Sequence, residues 1–193
     1  MGIEYELKFR AEESVLSQVQ QDFPGTYTTL KMQTVYYDTP SGALSGRYFT
    51  LRRRLENGRP ICTLKAPAPG GARGEWETPC DDIFQAIPAL CKLGAPKELP
   101  ALVSEGLLPV CGAEFTRRCL TLSFQESVLE LALDTGFLFG GDAKVPLCEV
   151  EVELKSGDVS AANAFSALLQ RKYGLQREDR SKFSRARDLY LGE

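Results

Sequence analysis

The chain has 193 residues, a hydrophobic fraction of 43% and a charged fraction of 25%, values typical of a water-soluble protein with a buried core. Its net charge of −3 argues against binding of a nucleic-acid polymer. No apolar run reaches the roughly 18 residues of a membrane span, and the charged start lacks the apolar segment of a secretion signal. We therefore predict one cytoplasmic domain over residues 1–193, a monomer or homodimer without membrane contact.

The first half of the chain is predicted to form five strands and an early helix. Strict alternation of apolar and charged residues over 3–10 predicts a strand. A helical stripe follows over 12–22. Asn57-Gly58 is a strong signal for a two-residue hairpin turn. The other strands of this half are predicted at residues 32–38, 48–55, 60–65 and 73–78.

The second half is predicted to add three strands and further helices. Asp81 and Asp82 are candidate caps of a short helix. The segment Asp134-Thr135-Gly136 is typical of a turn, and Gly174 is a helix stop. The strands are predicted at 114–125, 128–133 and 147–155, a helix at about 160–173, and a final helix within the basic tail 179–191.

Charged side chains recur at every second position of these strands, so they share one face. For any single strand, a solvent-exposed outer face would explain the charged positions. Across the set, however, the polar positions hold Arg, Lys, Glu and Asp with few uncharged polar residues. This favours an α+β fold in which an eight-stranded antiparallel β-barrel, or a strongly curved sheet, encloses a charged tunnel, with helices packed outside. The acidic positions are Glu4, Glu6, Asp134, Glu149, Glu151 and Glu153, and the basic ones are Lys8, Arg52, Arg54, Lys65, Arg73 and Arg117.

The mixture of both signs indicates phosphate chemistry. Arg and Lys bind phosphate oxygens, and carboxylates hold cations that bridge to phosphate. The chain has no histidine, which excludes the commonest general base and the commonest ligand of transition metals. Any metal is therefore expected to be held by carboxylates, which favours Mg²⁺ or Mn²⁺. No Walker P-loop is present. The six cysteines contain no C-x-x-C pair and are predicted to be reduced thiols.

Several motifs in order resemble the CYTH superfamily, the triphosphate tunnel metalloenzymes, and are most similar to its bacterial inorganic triphosphatases. The N-terminal Glu4-x-Glu6-x-Lys8 resembles the family's ExExK signature. The later matches are Tyr36-Tyr37-Asp38-Thr39-Pro40, Leu51-Arg52-Arg53-Arg54, Thr63-Leu64-Lys65, Arg73-Gly74-Glu75-Trp76-Glu77, Phe115-Thr116-Arg117, Glu130 to Gly136, Cys148 to Lys155 and Ser181-Lys182. Cys119 stands where relatives often carry a basic residue.

The resemblance implies hydrolysis of a triphosphate, first of all inorganic triphosphate to pyrophosphate and phosphate. It assigns phosphate binding to Lys8, Arg52, Arg54, Lys65, Arg73, Arg117 and Lys182. It assigns Mg²⁺ or Mn²⁺ to Glu4, Glu6, Asp134, Glu149, Glu151 and Glu153, and catalysis to Glu4, Glu6, Lys8, Glu149 and Glu151. A class IV adenylate cyclase, a thiamine triphosphatase and a non-catalytic polyphosphate- or nucleotide-binding module are the alternatives. The family's cyclases resemble one another in a His-Phe element that this histidine-free chain lacks.

Overall fold

The computed structural model describes residues 2–3, 5–67 and 73–192. Its strands and helices follow the predicted order, with longer strands in the second half. The elements in chain order are β1 (Gly2–Ile3), β2 (Glu6–Arg10), α1 (Glu13–Asp22), β3 (Thr28–Asp38), a 3₁₀ turn (Ser45–Arg47), β4 (Thr50–Glu56), β5 (Arg59–Pro67), β6 (Arg73–Pro79), α2 (Ile83–Lys92), α3 (Leu99–Leu102), β7 (Leu108–Phe124), β8 (Ser127–Gly140), β9 (Ala143–Ser156), α4 (Val159–Tyr173), β10 (Gln176–Arg177) and α5 (Lys182–Leu191).

All ten strands belong to one antiparallel sheet in the order β1-β6-β5-β4-β3-β7-β8-β9-β2-β10. The prediction of eight strands missed the two-residue strand β10 and merged β1 with β2 in the single strand 3–10. The predicted barrel is not confirmed, because no ladder within the described residues joins the two ends of this order. However, β1 pairs with β6 while β2 pairs with β9. Only two residues separate β1 from β2, so Ile3 and Glu6 lie within about 11 Å, and the sheet must curve strongly.

Four helices cover the apolar face of the sheet, as the alternation predicts. Helices α2 and α3 pack on β4, β5 and β6, where Leu51, Leu64 and Trp76 are buried. Helices α1 and α4 pack on β2, β8 and β9, around Phe9 and Phe165. Burial of these side chains stabilises the fold by roughly 1.5–3 kcal/mol each for large apolar residues. The charged residues of the same strands consequently point to the other side.

Helix α5 departs from the prediction that every helix packs on the apolar face. It lies against β7 and β8 on the side that carries the charged residues. Phe183 and Ala186 of α5 are buried there with Met32, Phe115 and Leu138. The sequence pattern did not reveal this, because α5 is largely polar and its apolar residues form only a short stripe.

The predicted turn at Asp134-Thr135-Gly136 is wrong, because these residues lie in the middle of β8 and pair with both β7 and β9. Glycine is required at position 136 because the backbone of β7 lies very close there, and not because the chain turns. A Cβ atom there would stand 2.1 Å from the carbonyl oxygen of Glu114. Asn57-Gly58 does form the β4–β5 hairpin turn, with φ values of 50° and 82°, as a type I′ turn requires.

Helix boundaries agree with the capping signals. Asp82 caps α2 by accepting hydrogen bonds from the amides of Phe84 and Gln85, and Gly174 ends α4 in the left-handed conformation. All six cysteines are free thiols, as predicted. Among the described residues, no helix is both long and apolar enough to cross a membrane.

Candidate active site on the charged face

Cross-strand register brings the charged residues of β2, β9, β8 and β7 onto one side of the sheet. Lys8 is opposite Glu151, and Asp134 lies between Arg117 on β7 and Glu149 on β9. Residues directly opposite each other in antiparallel strands project to the same side. We call this side, which also carries α5, the charged face.

Three buried carboxylates meet on the charged face. Asp134 and Glu149 are fully buried and Glu151 is 5% exposed. One oxygen of each carboxylate lies within 4.8 Å of those of the other two. It is the one group of this kind that the described part of the chain contains, and we call it the carboxylate cluster. Three anions this close are stable away from water only when cations accompany them.

Arg117 and Lys182 supply that compensation. Arg117 donates to both oxygens of Asp134, at 2.8 and 2.7 Å, and also donates to Glu151. The Lys182 ammonium lies 2.9 Å from Asp134, 2.6 Å from Glu149 and 2.6 Å from Glu151. It is the first residue of α5, so the position of this helix on the charged face delivers the ammonium to the cluster.

These contacts dominate the ionisation of the groups involved. Burial opposes the charge of Glu151, but Arg117 and Lys182 outweigh burial and hold the pKa of Glu151 below its ordinary value of 4.5. Burial also opposes protonation of Lys182, yet the three carboxylates raise the pKa of its ammonium. For Arg117, the attraction of Glu151 and Asp134 exceeds the cost of burial and raises the pKa of its guanidinium. These three shifts all favour the charged forms of Glu151, Lys182 and Arg117.

Arg185 and Glu178 extend this network, and the sequence analysis missed both. Arg185 donates to Glu149 and lies 3.6 Å from Glu178. Glu178 is 4% exposed and accepts a hydrogen bond from Arg10 at 2.6 Å. Helical spacing could have revealed Arg185, because it follows Lys182 by three residues and so lies on the same side of α5. No spacing rule connects Glu178 to β2.

The basic residues of β4 and β5 face the acidic residues of β6. Arg52 and Lys65 lie 3.5 and 3.4 Å from Glu75, and Thr63 donates to Glu77 at 2.8 Å. Arg73, at the start of β6, donates to the Thr50 hydroxyl at 2.7 Å. We call Arg52, Arg54, Lys65 and Arg73 the basic half of the charged face.

Arg54 lies close to other positively charged side chains. Burial, together with the neighbouring charges of Arg52 and Arg117, lowers the pKa of Arg54 to about 10, although Glu56 and Glu77 oppose the shift. Its Nε atom is buried and lacks a hydrogen-bond partner among the described residues. A bound anion would relieve this repulsion.

The other predicted acidic residues that the structure describes, and Lys8, do not belong to the carboxylate cluster. Glu6 and Lys8 form an ion pair with each other at 3.0 Å, and Lys8 also acts electrostatically on Glu151. Glu153 is paired with Lys155 at 2.8 Å and does not join the cluster. Glu4 lies outside the described residues. Arg53 points to the opposite face, where it donates to Asp81.

The donor set of the cluster fits a hard divalent cation. Carboxylate oxygens are the ligands that Mg²⁺ and Mn²⁺ prefer. Glu149 Oε2 is buried and has no hydrogen-bond partner among the described residues, and it forms an ion pair with Lys182 Nζ at 2.6 Å. This oxygen thus has a lone pair available for a cation. Asp134, Glu149 and Glu151 would hold the ion.

The candidate site therefore consists of opposed acidic and basic groups on one face of a curved antiparallel sheet. The family model of the CYTH domain matches residues 2–186, so the chain belongs to the CYTH family. The resemblance found in the sequence motifs is thereby confirmed.

Individual relatives agree with this assignment. An inorganic triphosphatase from Haemophilus influenzae is 30% identical over 165 residues, which cover 81% of this chain and 46% of that protein. This chain thus spans about half the length of the curated relative it matches.

Solved structures share the fold. A Hippeastrum protein reported to have a dominant triphosphatase activity matches with a TM-score of 0.66 at 16% identity, over 100% of this chain and 97% of the other. A Pyrococcus horikoshii protein matches with a TM-score of 0.61 at 21% identity, over 93% and 96%.

Proposed function

We propose that this protein hydrolyses a triphosphate with the aid of a divalent cation, and that inorganic triphosphate is its principal substrate. The observation that carries the proposal is the contact between the carboxylate cluster and the phosphate-binding residue types Arg117 and Lys182 on one face. Family membership and the Haemophilus relative support the same activity. Because the relative is about twice as long, its substrate is carried over here as a proposal.

Different residues bind the phosphates, stabilise the developing charge and hold the cation. Arg52, Arg54, Lys65 and Arg73 bind the phosphate oxygens, since guanidinium groups pair with phosphate in bidentate fashion. Arg117 and Lys182 stabilise the charge that develops on the transferred phosphoryl group. Asp134, Glu149 and Glu151 would hold a divalent cation, which would supply Lewis-acid activation of the phosphoryl group and of the attacking water. A neighbouring glutamate accepts the proton of that water.

Phosphate release from tripolyphosphate, ATP and thiamine triphosphate tests the proposal. We expect release with Mg²⁺ or Mn²⁺ and none in EDTA, with tripolyphosphate giving the highest kcat/KM. The same protein must show an increase of melting temperature with tripolyphosphate. An increase of melting temperature without release under any metal would overturn hydrolysis and establish a binding module.

Adenylate cyclase activity is the alternative that the same assay resolves. A Bacillus halodurans protein proposed to be an adenylate cyclase shares the fold, with a TM-score of 0.60 at 14% identity. Likeness at this level shows the fold alone. Formation of pyrophosphate and cyclic AMP from ATP, without orthophosphate, would replace our proposal.

A further inference from the structure

Two arginines contact carboxylates of the cluster in different ways. Arg117 pairs with Asp134 as a fork, since its Nε and Nη2 atoms donate to the two carboxylate oxygens at 2.8 and 2.7 Å. Arg185 donates to Glu149 through Nη2, and it reaches Oε1. A guanidinium beside a carboxylate frequently forms the bidentate fork. The single hydrogen bond of Arg185 therefore needs a physical cause.

The two atoms that would complete a fork between Arg185 and Glu149 are both buried. Arg185 Nε and Glu149 Oε2 have no hydrogen-bond partner among the described residues. Nε and Nη2 are the same pair of donors with which Arg117 holds Asp134. Glu149 Oε2 instead faces the Lys182 ammonium at 2.6 Å. A guanidinium turned further toward Glu149 would occupy Oε2, the oxygen that the cluster offers to a cation.

Glu178 attracts the Arg185 guanidinium from the other side. Arg185 Nη1 lies 3.6 Å from Glu178 Oε2, while Nη2 donates to Glu149. The guanidinium thus lies between two carboxylates, and its attraction to Glu178 opposes the movement that would complete the fork with Glu149. Glu178 is 4% exposed, so salt and water screen this attraction little.

The position of Glu178 is fixed by β2 and by the segment before α5. Its amide donates to the carbonyl of Lys8 at 2.9 Å. Its carboxylate accepts hydrogen bonds from Arg10 Nε at 2.6 Å and from the Arg180 amide at 2.9 Å. Burial opposes the charge of Glu178, but the Arg180 amide, Arg10 and Arg185 outweigh burial and lower its pKa. The carboxylate that faces Arg185 is therefore held in place, and its charged form is favoured.

We infer that Glu178 is a positioning residue of the metal site: it restrains Arg185 to one oxygen of Glu149 and so keeps Glu149 Oε2 open for the divalent cation. The inference rests on the proposed function, because it assumes that the carboxylate cluster holds a cation. It adds to the site a residue that is not itself a ligand. Loss of a partner that orients a metal ligand typically lowers metal affinity about 10–100-fold.

Glu178→Gln tests the inference through the affinity for Mn²⁺, measured by isothermal titration calorimetry without substrate. The neutral amide no longer attracts Nη1, so Arg185 completes the fork and occupies Oε2. The dissociation constant for Mn²⁺ should increase about tenfold, while KM for tripolyphosphate at saturating Mn²⁺ should change less than about twofold. Asp179→Asn is the matched control, because this neighbouring carboxylate is 78% exposed and pairs with Arg177. It should leave the dissociation constant unchanged.

A second substitution separates positioning from a general loss of charge or stability. A lysine ammonium lacks the planar fork of a guanidinium, so Arg185→Lys cannot hold both oxygens of Glu149 in the bidentate geometry. Combined with Glu178→Gln, it should restore the dissociation constant for Mn²⁺ to within about threefold of the wild-type value. If urea titration shows that Glu178→Gln is unfolded, Glu178→Asp replaces it. The shorter side chain withdraws the charge from Arg185 and should weaken Mn²⁺ binding in the same direction.

Two results would overturn the inference. An unchanged dissociation constant for Mn²⁺ in folded Glu178→Gln would show that Glu178 does not control Oε2 of Glu149. A double variant that binds Mn²⁺ as weakly as Glu178→Gln would assign the loss to charge or stability and not to the fork. If the wild type binds Mn²⁺ but hydrolyses no triphosphate, the proposed function fails, and the same titrations still decide the role of Glu178. If the wild type binds no Mn²⁺, both fail.

Discussion

The acidic and basic halves of the charged face differ in how deeply their carboxylates are buried. In the carboxylate cluster, Lys182 lies 2.6–2.9 Å from three carboxylates that are 0–5% exposed. In the basic half, Arg52 and Lys65 lie 3.5 and 3.4 Å from Glu75, and Arg54 pairs with Glu56. The side chains of Glu75, Glu56 and Glu77 are 20%, 24% and 43% exposed. Ion pairs in contact with water are weaker than buried ones, so the cluster is the tight half of the charged face and the basic half is the looser one, which can exchange its acidic neighbours for an incoming polyanion.

The largest effect is expected from Glu151→Gln in the tight half. The variant leaves Arg117 and Lys182 with a missing counter-charge, and breaking a buried ion pair costs about 3–5 kcal/mol. We expect a free energy of unfolding lower by about that amount, measured in urea, and no hydrolysis of tripolyphosphate. Glu130→Gln is the matched control, because Glu130 lies on the neighbouring strand β8, on the same side of the sheet but outside the cluster, and pairs with Lys155 at 3.7 Å. Equal behaviour of the two variants would contradict the special role given to the cluster.

Arg52→Ala tests whether the looser half binds phosphate. Hydrogen bonds to charged groups contribute about 1.5–3 kcal/mol, so KM for tripolyphosphate should increase at least about tenfold. Arg53→Ala removes the neighbouring arginine, which points to the other face and donates to Asp81. It should leave KM unchanged. Similar KM values for the two variants would exclude the assigned strand faces.

Lys182→Met tests whether a divalent cation can replace the ammonium group in the carboxylate cluster. The variant leaves three carboxylates with two cations, Arg117 and Arg185, so the melting temperature in EDTA should fall. Mn²⁺ then replaces the missing charge, and the increase in melting temperature on adding Mn²⁺ should exceed that of the wild type. Lys155→Met, a control at a half-exposed ion pair, should respond like the wild type. If Mn²⁺ increases the melting temperature of Lys182→Met less than that of the wild type, the Lys182 ammonium and the cation do not occupy the same position.

The smallest effect is expected for the pH dependence of the stability that Glu151 contributes. Its pKa is lower in the folded protein than the ordinary value of 4.5, so ionised Glu151 stabilises the fold fully above that value. The contribution is lost as pH falls toward the lower folded pKa. The difference in free energy of unfolding between wild type and Glu151→Gln should therefore shrink between about pH 4.5 and pH 3. A constant difference over this range would contradict the ion pairing described.

Local sequence patterns predicted the strand faces because side chains alternate with a strict period of two. The pattern therefore separated Glu149 and Glu151 from Val150 and Val152 without any tertiary information. It failed at Asp134-Thr135-Gly136, where residue types common in turns lie inside β8. The pairing of β8 with two neighbours overrides local preference there, and Gly136 serves a close approach.

The long-range parts of the site could not be predicted. Lys182 reaches the cluster only because Phe183 and Ala186 anchor α5 on the charged face, and nothing in the tail's composition specifies that face. Arg185 and Glu178 join through the same placement. Motif resemblance identified Lys182, but its contact with all three carboxylates required the structure.

A crystal structure with Mn²⁺ and tripolyphosphate tests the central claim most directly, because anomalous diffraction locates the metal. Our account predicts Mn²⁺ coordinated by carboxylates of Asp134, Glu149 and Glu151, with phosphate oxygens against Arg52 and Arg54. Metal held only by Glu6 and Glu153, or phosphate bound away from the charged face, would contradict it.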